Sequence, residues 1–226
     1  MALVQRSTAD AVTYRHMPPP DRSRVLRAMS PSKWDASNRV LYDLCREYPA
    51  HTDDGEVLAK ILLVGRVYAA AIERRRTKTD DHDNDRFYLE TVAPAIRASS
   101  IDKWLNRART AVPGTPEGLR VLIEVHGQTT RLFSEISQLE KRSLASKYLH
   151  FHVPRLFFIY DSRAVEAMRE FSDVLPRARR RDGTGDNEYR KFAGKCVALV
   201  DYCEKELGLH PLPRHVDNLL LRVNER

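Results

Sequence analysis

Residues 142–164 read R-S-L-A-S-K-Y-L-H-F-H-V-P-R-L-F-F-I-Y-D-S-R-A, and how this stretch is parsed decides the fold. Lys141 and Arg142 form a basic cluster, and Ser143 is placed to cap a helix. An apolar run with helical spacing follows through Leu144, Ala145, Tyr148, Leu149 and His152. Pro154 ends it, because proline lacks the N–H a helix needs and turns the preceding residue away from the α region. Leu156–Tyr160 is then a short apolar stretch that must be buried. Asp161 opens a second amphipathic run, Ala164–Phe171, where an aspartate accepts backbone N–H bonds at the helix start by default. The stretch therefore predicts a helix, a buried connector, and a carboxylate at the mouth of a second helix.

Outward from it the chain keeps the same period. The strongest helix is expected at Glu56–Arg75, opened by a capping-box spacing of Asp53 and Glu56 and carrying Leu58, Ile61, Leu62, Gly65, Tyr68, Ala69 and Ile72 on one face. Trp34–Glu47 is a further helix with Val40, Leu41 and Leu44 on one side, and Ser23–Ser30 supplies a turn or two. Phe87–Arg97, Ile101–Ala111, Glu117–His126 and Thr130–Leu139 continue the pattern, broken clearly at Pro113-Gly114-Thr115-Pro116. Asn187–Leu207 is long, with Phe192, Cys196, Leu199, Val200 and Cys203 inward, and Pro213–Val223 closes the chain. No segment alternates with a period of two, so the fold class is all-α. Residues 1–22 form a polar, proline-ended, flexible lead-in to a single helical domain over 23–226. Two loops carry charge: acidic Thr77–Asp85, which lacks the spacing of a calcium loop, and basic 177–181.

The 226 residues suffice for a substantial core, and 42% hydrophobic content fits a globular protein. Thirty-eight Lys+Arg against 31 Asp+Glu give a net charge of +7, which permits a polyanionic partner through counterion release. Three cysteines cannot all pair within one chain, which points to free thiols and a cytoplasmic location. No signal peptide or membrane span is read, and no metal or other cofactor site is supported by the residues.

The order of a turn, a helix, a buried Phe157-Phe158-Ile159-Tyr160 run and then Asp161 resembles the core of the helix-hairpin-helix DNA glycosylases. S-L-A-S-K-Y-L-H-F together with I-Y-D-S-R-A is similar to a bacterial 8-oxoguanine-glycosylase-like branch, some members of which sit in CBASS antiphage operons. The close match covers about 25 residues; K-I-L-L-V-G-R-V-Y-A-A-A-I-E-R-R at 60–75 and P-R-H-V-D-N-L-L-L at 213–221 echo it. The resemblance implies a two-lobed helical fold whose N- and C-terminal helices share one lobe, with double-stranded DNA lying across the cleft. It implies Asp161 as the catalytic carboxylate that stabilises positive charge on the sugar.

Members that also cut the strand use a lysine amine to form a Schiff base. Counting back from Asp161, that position falls on Ser143, while Lys147 lies one turn further on the same face. Lys147, a shifted Lys141, or Asp161 with a water molecule each remain open as the nucleophile. The family's hairpin glycines are absent, so Lys141, Arg142 and Arg163 are the candidate phosphate ligands. His150 and His152 are read as packing and capping residues, and Arg120 with His126 as members of a core helix. Two functions follow: excision of a modified or oxidised purine in repair or antiphage defence, or a catalytically diverged module that binds nucleic acid or protein partners from the same operon.

Overall fold

The computed structural model describes residues 20–74, 84–171 and 186–223, and among them every regular element is helical. The first three helices are α1 (Arg22–Met29), α2 (Asp35–Glu47) and α3 (Asp54–Val67). Then α4 (Asn84–Phe87), a π turn (Tyr88–Val92) and α5 (Ala93–Ala98) run on without a break. α6 (Ile101–Thr110), α7 (Pro116–Ser137), α8 (Arg142–His152), α9 (Ser162–Glu170), α10 (Asn187–Leu207) and α11 (Pro213–Val223) complete the fold. Most of the 1–22 lead-in, most of the acidic loop and the whole of 177–181 lie outside the described residues.

α8 is the central element: every residue from Leu144 to His152 is buried. It packs against α2, α3 and α7, so it shows no solvent-facing stripe. Its C-terminus gives way to the extended segment at 156–160, in which Leu156, Phe157, Phe158 and Ile159 are buried. Buried backbone outside a helix needs partners from side chains, and they come from two helices. His150 Nδ1 bonds the Phe157 carbonyl at 2.8 Å, Tyr189 of α10 donates to the Phe158 carbonyl at 2.9 Å, and Tyr160 N–H donates to Ser146 Oγ at 3.0 Å. Asp161 then caps α9 through Ala164 N–H at 2.9 Å. α9 packs on α10 and α11, and α1 packs on the same pair, so the first and last described helices meet.

Four boundaries differ from the sequence reading, each for a local reason. The helix expected through Arg75 stops at Val67, because the chain turns back on Gly65: Ala70 N–H bonds the Gly65 carbonyl at 2.8 Å and Ala69 takes φ 50. A Cβ on Gly65 would stand 3.2 Å from Ala71 Cα, so the glycine serves this turn. Pro94 cannot donate back into the preceding turn, and the helix widens to a π turn over Tyr88–Val92 just before it. The two helices expected at 117–126 and 130–139 are one, α7, with Gly127 inside it. A helical glycine costs about 1 kcal/mol, which burial of Val125, His126, Thr129 and Thr130 around it offsets. Last, Ser143 caps nothing: Lys141 holds the N-cap position of α8 with no side-chain bond, and Ser143 lies inside the first turn. On α2, Val40 faces solvent, and Asn38 joins Leu41 and Cys45 inside.

The core also encloses four histidines. His51 bonds Asp102 through Nδ1 at 2.6 Å and Tyr148 through Nε2 at 2.7 Å; His126 stacks on Tyr189 at 3.4 Å; His150 bonds the Tyr42 hydroxyl at 2.7 Å. His152 packs between His51 and Tyr148, and neither of its ring nitrogens has a partner. Burial pushes His51 and His150 down to about 4, His126 to about 3, and His152 well below the ordinary 6.5. Between those values and 6.5 the unfolded chain binds more protons than the folded one. Stability is therefore complete above pH 6.5 and falls as pH drops toward 4, by about 1.4 kcal/mol per pH unit for each such imidazole. Urea midpoints measured at pH 7 and pH 5 should show a marked loss at pH 5, and equal midpoints would refute the neutral buried histidines.

Candidate functional site

Asp161, Lys147 and Ser143 come together. Ser143 and Lys147 are one turn apart on α8, and a helical lysine leans toward the N-terminus, so Lys147 Nζ reaches Ser143 Oγ at 3.0 Å. The N-terminus of α9 brings the Asp161 carboxylate to the same amine, Nζ to Oδ2 at 3.5 Å. The third donor direction is taken by the Tyr68 carbonyl at the end of α3, 3.2 Å away. Lys147 is buried, whereas the Asp161 side chain is 26% exposed. Burial lowers the proton affinity of Lys147, and the neighbouring Asp161 carboxylate opposes that shift. The result is an amine held between a carboxylate, a hydroxyl and a carbonyl, with the carboxylate as its reachable side.

A second ring of residues surrounds the pair, and the sequence reading assigned none of them to a site. Tyr68 places its ring 5.7 Å from Lys147 Nζ and donates its hydroxyl to Asn38 Oδ1 at 2.7 Å. Arg214 of α11 donates to the Tyr68 hydroxyl at 3.3 Å and to Asp217 Oδ2 at 2.5 Å. The signal for these residues was present in P-R-H-V-D at 213–217, but only the folded chain sets it beside residue 68.

Two of the three expected phosphate ligands are used internally. Lys141 is buried, with Nζ donating to the carbonyls of Ala71, at 3.0 Å, and Arg74. It closes the turn that follows α3, so it is neither a surface cation nor an amine beside Asp161. Arg142 pairs with Asp186, the N-cap of α10, and with Glu140, and its guanidinium lies over the Tyr160 ring at 5.5 Å. Its charge is matched within the fold. Arg163 alone of the three is exposed, in the first turn of α9. The turn between α7 and α8 is made without glycine: Gln138 adopts φ 57, and Leu139 N–H donates to Ser137 Oγ at 3.3 Å.

Three hollows lie elsewhere among the described residues. One of about 730 Å³ runs between α7 and the start of α10, past Arg131, Arg142 and Asp186. Another of about 670 Å³ lies between α5, α6 and α7. A third, of about 260 Å³, is an apolar groove under Pro113, Leu156 and Pro211. None of these three is lined by Lys147 or Asp161. The three cysteines are buried and unpaired, and no group of His, Cys, Asp and Glu among the described residues is arranged to hold a metal ion. No described helix is long and apolar enough to cross a membrane.

The chain matches no protein family, no curated protein and no solved structure with which it was compared.

Lys141, at the N-cap of α8, is open to a test of its own. Lys141→Ala leaves the carbonyls of Ala71, which is buried, and Arg74 without this donor and should cost about 1–3 kcal/mol of stability, seen as a lowered urea midpoint. A surface lysine would change it by less than about 0.5 kcal/mol, and such a small change would remove Lys141 from the turn.

Proposed function

We propose that the protein is a DNA N-glycosylase-like enzyme that removes a modified or oxidised purine, with Asp161 and Lys147 as the reacting pair. The observation that carries this reading is the 3.5 Å approach of a buried lysine amine to a partly exposed carboxylate at a helix N-terminus. Breaking an N-glycosidic bond leaves positive charge on the sugar, and a fixed carboxylate stabilises it. As the bond breaks, the base departs with the electron pair. As a free amine, its proton lost to solvent so that Asp161 stays ionised, Lys147 forms the new bond to C1′; the C1′–O4′ bond then breaks as a proton passes from the nitrogen to O4′, which gives an imine. If water attacks in its place, Asp161 takes the water's proton and Lys147 only positions the carboxylate. The target base must leave the stack to reach either group. The grouping of α1, α9, α10 and α11 fits the shared lobe that the resemblance implies. Antiphage defence as the setting rests on that resemblance alone.

A second reading, a diverged module that binds nucleic acid or operon-encoded proteins, is favoured by one observation. Both Asp161 oxygens are already engaged, by Ala164 N–H and Lys147.

Base release from duplexes carrying oxidised or otherwise modified purines, followed by mass spectrometry, separates the two readings. Asp161→Asn should reduce release by a factor of about 10² or more and leave duplex binding intact. Borohydride should crosslink the protein to DNA in the parent and not in Lys147→Ala. Release without any crosslink assigns the attack to water. Absence of release from every modified duplex refutes the glycosylase reading and leaves the binding module.

A further inference from the structure

Behind the amine and its carboxylate stands an ion pair whose acid is buried. Arg214 and Asp217 are joined across one turn of α11, and the Asp217 side chain is 2% exposed. Tyr68 links this pair to the reacting amine by three contacts. Its carbonyl accepts from Lys147 Nζ, its ring lies beside that ammonium, and its hydroxyl accepts from Arg214 while donating to Asn38. Four elements, α2, α3, α8 and α11, thus meet at one tyrosine.

We infer that Asp217 is a positioning residue which, through Arg214 and Tyr68, fixes the Lys147 amine and, as the second carboxylate of the pocket, sets that amine's affinity for its proton. The inference rests on the reading of Lys147 as the reacting amine.

The charges of the pocket support it. Two cations, Lys147 and Arg214, share two carboxylates, Asp161 and Asp217. With Asp217 ionised the four charges balance. With Asp217 protonated the pocket carries one excess positive charge, which makes the Lys147 proton easier to lose. Lys147 feels both carboxylates, Asp161 more strongly. Burial pushes Asp217 up to about 6 against the pull of Arg214, so its charge changes just below neutrality. The other groups facing this network are accounted for element by element. Arg163 of α9 faces Asp217, as do Tyr42 of α2, pushed up to about 12, and Cys196 of α10, pushed up by burial. Asp35 of α2 faces Arg214 and is held low by Ser32; His150 of α8 faces it and is pushed down to about 4. His215 of α11 also faces Arg214, and its burial lowers it from 6.5, so its ring must be followed separately.

The test follows the Lys147 Nζ resonance in protein labelled with ¹⁵N-lysine, assigned by its loss in Lys147→Arg, from pH 5 to 11. Asp217→Asn should lower the Lys147 midpoint by half a pH unit or more, about a threefold loss of proton affinity, and Asp217→Glu should restore most of it. An ion pair that served only to hold α11 would leave the midpoint where it is, and an unchanged midpoint in folded Asp217→Asn overturns the inference. Should that variant fail to fold, the parent protein decides. Its Lys147 resonance must inflect together with the Asp217 carboxyl carbon, at a pH distinct from the His215 ring; a Lys147 signal flat through the Asp217 titration overturns the inference. No DNA enters this experiment. Failure of base release therefore strikes the glycosylase reading alone, and an uncoupled Lys147 strikes only the role given to Asp217.

Discussion

A helix buried on every face has no water to satisfy its polar side chains, and α8 is such a helix. It carries Ser146, Lys147, Tyr148, His150 and His152 in the interior, and each must find a partner or stand as a cost. Ser146 and His150 hold the backbone of 156–160, Tyr148 reaches His51, and Lys147 reaches the end of α3. The neighbours are thereby fixed by α8 as much as by their own apolar faces. Only His152 goes without, and it is packed against two other rings. The rest of the fold depends on this exchange of side-chain donors for backbone acceptors.

The period of apolar residues made most of the helices legible, because a buried stripe leaves a repeat that needs no knowledge of the partner. Asp161 as an N-cap, Pro154 as a stop, and the Asp53–Glu56 start were readable for the same reason: each is a bond within four residues. What the sequence hid were the roles that depend on distant elements. Nothing local says that Lys141 will spend its charge on the carbonyls of residues 71 and 74, or that Arg142 will meet Asp186. By type and position both looked like phosphate ligands. The early stop of α3 was hidden in the same way, since Ala69, Ala70 and Ala71 favour a helix and it is Gly65, with the two lysines of α8, that receives the turn.

Of the candidate site, the sequence yielded the three residues that lie within one short stretch, Ser143, Lys147 and Asp161. It did not yield Tyr68, Arg214 or Asp217, which come from 79 residues before the lysine and from the far end of the chain. Tyr68 counted as one more apolar position on a helical face, and its hydroxyl gave no sign that Arg214 would meet it.

The position of Lys147 joins structure and chemistry in one group. Its three donors are matched by Tyr68, Ser143 and Asp161, so as an ammonium it is fully satisfied and contributes to the fold. As a free amine it has one N–H fewer, and one of these acceptors must go without. The carbonyl of Tyr68 is part-buried at the end of α3, where an orphaned acceptor is costly. Asp161 is 26% exposed, already bonded to Ala164 N–H, and can turn its other oxygen to water. Of its three partners, Asp161 is therefore the one that Lys147 can release at the least cost. The carboxylate offsets the burial of the ammonium, so the pair serves the fold whether or not the amine reacts, and in the proposed reaction the same carboxylate stands beside the amine on its accessible side.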